Sequence, residues 1–65
     1  MNWDEAKGKW QQFRGEAQKQ WGKLTNDDYD MIEGDRKKFV GRIQEIYGIT
    51  TQEAEKQIDD FVGRF

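Results

Sequence analysis

This 65-residue chain has no cysteine and no histidine. The first absence removes thiol nucleophiles and disulfides, the second removes imidazole bases, and together they exclude zinc sites built from nitrogen or sulfur ligands. Long apolar runs are also lacking. The opening segment MNWDEAKGKW holds nothing resembling a secretory signal, and no segment approaches the length that crosses a bilayer. The cytoplasm is therefore the expected compartment, with no membrane contact. Apolar residues are scarce as well, at 34% against 37% charged, with a mean hydropathy of -1.19. Three Trp, two Tyr and four Phe nevertheless argue for a packed core rather than disorder. One small domain spanning 1–65 is expected, with a total stability of roughly 3 to 10 kcal/mol.

Net charge is -2, but its sign alternates in blocks: +2 over residues 1–25, -5 over 26–35, +4 over 36–42 and -3 over 43–65. This is a mixed surface rather than a phosphate-binding face.

Helix signals recur along the chain. Asn2 is a candidate N-cap with Glu5 three residues on, and Trp3, Ala6, Trp10, Phe13, Ala17, Trp21 and Leu24 fall within an arc of about 80° on a helical wheel. Thr25 caps a next helix, with Asp27 and Asp28 in its first turn and Leu24 and Tyr29 as a hydrophobic staple. Phe39, Ile43, Ile46 and Tyr47 form another apolar face. Thr50 and Glu53 make a second capping box, Ile49 and Ala54 a second staple, and Ala54, Ile58, Phe61, Val62 and Phe65 line a last helix. Four helices are predicted, near 2–21, 26–33, 35–47 and 51–63. An offset of 26 residues aligns Phe13 with Phe39, Gly15 with Gly41, Trp21 with Tyr47, Gly22 with Gly48 and Ile32 with Ile58. Two related hairpins, 1–33 and 34–65, account for this most simply.

Six of the seven glycines fall in two sets spaced by seven: Gly8, Gly15 and Gly22, then Gly34, Gly41 and Gly48. Gly22 and Gly48 are read as left-handed helix stops. On the wheel all six lie opposite the apolar stripes and are expected to face solvent. Gly8, Gly15, Gly34 and Gly41 then forgo roughly 3 to 4 kcal/mol of helix stability relative to Ala. That makes them a candidate partner surface or a means of keeping the helices marginal.

Other groups have simpler uses. Trp3, Trp10 and Trp21 could stack bases, with Lys7, Lys9, Arg14 and Lys19 nearby, but they occupy the first helix's only apolar stripe and are needed as core. Arg36, Lys37, Lys38 and Arg42 form the one basic cluster. It is a candidate phosphate or partner contact, although the acidic block before it opposes phosphate, and Asp35 with Lys38 reads as an ion pair one turn apart. Asp27, Asp28, Asp30, Glu33 and Asp35 lack the EF-hand spacing and suit helix first turns. No nucleophile lies beside a base and no phosphate-cradling loop is present. Neither enzyme, cofactor nor metal is expected.

Asn2-Trp3-Asp4 with Gly8-Lys9-Trp10, the run Trp21 to Asp28 (WGKLTNDD), Ile32-Glu33-Gly34, Gly41-Arg42-Ile43-Gln44 and Tyr47-Gly48 together resemble the CsbD-like family of small bacterial stress proteins. The resemblance covers about residues 2–62. It implies an all-α domain of two packed helical hairpins in a SAM-domain-like arrangement, made in the cytoplasm during general stress or stationary phase. It brings no established enzymatic activity, cofactor or ligand. The glycine content and hydrophilicity also look like those of hydrophilins. Phe13-Arg14 and Phe39-Val40 are more apolar than expected for the family. The leading expectation is a non-enzymatic protective or partner-binding protein, monomeric or weakly self-associating, with a protein or other macromolecule as partner. A nucleic-acid accessory module using Arg36, Lys37, Lys38 and Arg42 is the alternative.

Overall fold

The computed structural model describes residues 2–64, which form five helices: α1 (Trp3–Gly8), α2 (Trp10–Gln20), α3 (Asn26–Ile32), α4 (Arg36–Tyr47) and α5 (Thr51–Arg64). Phe65, expected in the last apolar stripe, lies outside the described residues.

The fold is all-α, as predicted, but the first predicted helix is two. Lys9 leaves the helical region at φ -114°, ψ 39°, while its N–H still donates to the Glu5 carbonyl at 3.0 Å and its own carbonyl accepts from Phe13 at 2.9 Å. The bend adjoins Gly8, the weakest helix former nearby, which is a usual place for a kink. The apolar stripe continues across it: Ala6, Phe13, Ala17, Trp21 and Leu24 are buried, and Trp3 and Trp10 pack onto them.

Capping follows the sequence closely. Asn2 accepts from the Glu5 N–H at 2.9 Å, and Thr50 Oγ1 accepts from the Glu53 N–H at 3.1 Å. Thr25 forms a reciprocal box with Asp28: its hydroxyl accepts from the Asp28 N–H, and the Asp28 carboxylate accepts from the Thr25 N–H at 2.8 Å. Asp35 corrects one expectation. Its carboxylate takes the Lys38 backbone N–H at 3.2 Å and caps α4, and no ion pair joins it to the Lys38 ammonium among the described residues.

The helix ends depart from the glycine rule in one place. Gly48 stops α4 in the left-handed region at φ +66°, as expected. Gly22 does not play that part for α2, which ends at Trp21 with φ -118°. The Trp21 carbonyl instead accepts from the Leu24 N–H at 3.2 Å and the buried Tyr29 hydroxyl at 3.3 Å. A side chain and a turn N–H thus satisfy one of the carbonyls left open at the helix end. Between α3 and α4 the chain breaks at Gly34, as the repeat predicts, with Glu33 at φ +36° and Gly34 at φ +85°.

All three tryptophans join one core. Phe39, fully buried, sits at its centre, its ring 5.1 Å from Trp21, 6.0 Å from Trp3, 6.2 Å from Phe13 and Tyr29, and 6.3 Å from Trp10, mostly edge to face. The Trp21 indole N–H reaches Gln57 Oε1 on α5 at 3.1 Å, joining the two halves of the chain. Phe13 and Phe39, more apolar than the resemblance led us to expect, are therefore core residues.

Candidate functional site

The glycines separate into two kinds. Gly8, Gly15 and Gly41 are exposed, and a Cβ added at any of them would meet nothing within 4 Å. Gly34 overturns the expectation that it faces solvent. It is buried, its backbone at φ +85° is one that residues with a side chain rarely adopt, and an added Cβ would stand 2.9 Å from Lys7 Cγ. Its carbonyl accepts from the Trp3 indole N–H at 3.0 Å, tying the α3–α4 turn to α1.

The basic cluster is likewise divided. Arg36 points to α5, 2.9 Å from Asp59 and 3.4 Å from Glu55. Arg42 donates to Asp28 at 2.6 Å and Glu45 at 3.1 Å. Lys37 and Lys38 are exposed and make no ion pair among the described residues. The four cations therefore do not act as one patch: two hold the helices together and two face water.

Asp28 shows how local structure sets charge. The Thr25 backbone N–H, with Arg42 assisting, holds its carboxyl below the ordinary value of 3.8, against the opposing effect of burial. Tyr29 is pushed up by burial, so its hydroxyl stays protonated as a donor. Of the other acids in that block, Asp30 pairs with Arg14 at 2.6 Å and Asp35 caps α4. No group of three or more acidic side chains among the described residues is placed to hold a metal ion.

The structure brings Lys38, Gly41 and Arg42 together along the outer side of α4, where they face Met31 and Ile32 of α3 across a shallow groove that Glu45 closes. Met31 is 56% exposed, the one large apolar side chain among the described residues left mostly in water. Sequence reasoning passed over Met31 and Glu45. The signal for Met31 was present: it is an apolar residue off the stripe that Tyr29 and Ile32 define on α3. A second concavity beside Gly34 is lined by Trp3, Asp4, Lys7, Met31, Glu33 and Arg36, and a third beside Gly8 by Lys7, Lys9, Trp10, Gln11, Gln12 and Glu33. Each is open and mixed in charge. No helix among the described residues is long and apolar enough to cross a membrane.

A family model described as CsbD-like matches residues 4–56. The chain is 53% identical over 64 residues to the UPF0337 protein YjbJ of Escherichia coli strain K12, covering 98% of this chain and 93% of that protein. A UPF0337 protein of Pectobacterium atrosepticum is 57% identical over 58 residues (89% and 84% covered), and one of Rhodopseudomonas palustris 44% over 61 residues (94% and 92%). A helical core closed by Phe39 and Trp21, with matches of this length and identity, leaves one assignment: the chain belongs to the CsbD-like family.

Proposed function

We propose that this chain acts without catalysis, as a stress-response protein of the bacterial cytoplasm that works through abundance and weak contacts, shielding other macromolecules or holding a regulatory partner. The observation that carries this reading is the disposition of charge over a filled core. Arg14, Arg36 and Arg42 each pair with a carboxylate of another helix, while the rest of the surface is a mixture of both signs with little apolar area. Such a surface remains well hydrated and favours many weak encounters over one tight one. Membership of the CsbD-like family supports the reading, since the resemblance in the sequence implies production under stress.

The test is a deletion strain, complemented by the wild-type gene and challenged by drying, osmotic shock and stationary phase, alongside purified chain added to a drying-sensitive enzyme. Reduced survival of the deletion strain, with protection of the enzyme that rises with added chain, supports the proposal. Unchanged survival together with no protection overturns it. The nucleic-acid alternative is weakened because Arg36 and Arg42 are already engaged by carboxylates of this chain. Affinity for DNA or RNA at low salt that disappears on replacing Lys37 and Lys38 by Gln would install it instead.

A further inference from the structure

We propose that Met31 is a reversible oxidation site, its thioether converted by a peroxide to a sulfoxide that Lys38 and Arg42 hold in the groove between α3 and α4. Exposure is the first observation. Met31 is 56% exposed, while every other large apolar side chain among the described residues is buried or packed against the core. The chain has no cysteine, so no thiol competes for the oxidant. Position in the fold is the second. Met31 lies off the stripe that Tyr29 and Ile32 send into the core, so oxidation adds a polar oxygen to the groove and leaves the packing alone. A methionine oxidised inside a core disrupts it; this one has no core to disturb.

The neighbouring donors are the third observation. Lys38 and Arg42 line the same groove as Met31. Lys38 makes no ion pair among the described residues, and the buried Arg42 Nε–H has no hydrogen-bond acceptor there, although the two terminal nitrogens of that guanidinium hold Glu45 and Asp28. A thioether sulfur is a weak acceptor, whereas a sulfoxide oxygen is a strong one. Oxidation thus supplies an acceptor where donors already stand. In the step itself one peroxide oxygen bonds to sulfur as the O–O bond breaks; sulfur gives up two electrons, and the other oxygen takes them and leaves as water. In the return step a methionine sulfoxide reductase oxidises two thiols to a disulfide and releases the sulfoxide oxygen as water. The inference stands on the groove alone and is independent of the protective role proposed above.

Hydrogen peroxide added to the purified full chain at neutral pH, followed by peptide mass spectrometry, tests it. Met31 is expected to gain one oxygen at a rate within about threefold of that of free methionine, as its exposure implies. The oxidised chain is expected to keep its helical circular dichroism, with a Tm no more than about 2 °C below that of the reduced chain. The Arg42 Nε–H resonance is expected to move downfield on oxidation, the mark of a new hydrogen bond. Methionine sulfoxide reductase with dithiothreitol then restores the original mass. Met31→Leu, a swap of similar volume at an exposed position, is expected to keep the fold and to consume one equivalent less peroxide than the wild type. Slower oxidation of Met31, a larger fall in Tm, an unmoved Arg42 resonance or a sulfoxide that the reductase leaves in place overturns the proposal.

Discussion

Asp28 joins three tasks in one side chain. It completes the Thr25 capping box, lies at the favourable end of the α3 dipole and anchors Arg42 of α4. Its carboxyl is held below its ordinary value in the fold. The stability it contributes is therefore fully present above the unfolded value near 3.8 and is lost as pH falls through the lower folded value. Urea unfolding between pH 7 and 3 is expected to show this loss below about pH 4. Asp28→Asn is expected to lower stability at pH 7 by roughly 1 to 2 kcal/mol and to flatten the acid limb of the curve. Glu33 is a non-glycine at φ +36° and is exposed. Asn tolerates this region better, so Glu33→Asn is expected to raise stability by about 0.5 kcal/mol in the same assay.

At the scale of elements, the ends carry the information. The Thr25, Asn2 and Thr50 caps were legible because a cap needs only a side-chain oxygen three residues before an N–H. The end of α2 was not. Gly22 stands where a left-handed stop belongs, but the Tyr29 hydroxyl and the Leu24 N–H take the Trp21 carbonyl. Nothing local in the sequence marks a helix end satisfied by a side chain eight residues on. Tyr29→Phe is expected to cost about 1 kcal/mol by thermal unfolding, with the fold retained, because it removes one buried hydrogen bond and leaves the ring. The division of α1 from α2 at Lys9 was likewise illegible, since the apolar stripe runs unbroken through it.

For the whole molecule, one aromatic centre unites elements far apart in sequence. The faces that supply it could be read from periodicity, and every predicted stripe residue within the described range packs into or against the core. The periodic signal could not show that the rings meet at Phe39. Phe39→Ala is expected to cost about 3 to 5 kcal/mol, enough to leave a domain of this size largely unfolded at 37 °C by circular dichroism. Cross-element ion pairs were also hidden. Arg36 meets Glu55 and Asp59 only because α5 folds back along α4, so the basic run looked like a single patch in the sequence. Of the candidate surface, Gly41 and Lys38 emerged beside Met31, whereas Gly34 moved to the interior.

The separation of the evenly spaced glycines is the claim on which most of this account turns. It is tested most directly by the unfolding free energies of four single variants, Gly8→Ala, Gly15→Ala, Gly41→Ala and Gly34→Ala, measured in urea at neutral pH. The first three are expected to gain up to about 1 kcal/mol each, since helix propensity rises and no atom stands in the way. Gly34→Ala is expected to lose about 1 to 2 kcal/mol, since the left-handed backbone and the Lys7 side chain both oppose a Cβ. Four changes of the same sign, or a Gly34→Ala variant as stable as the wild type, would contradict it.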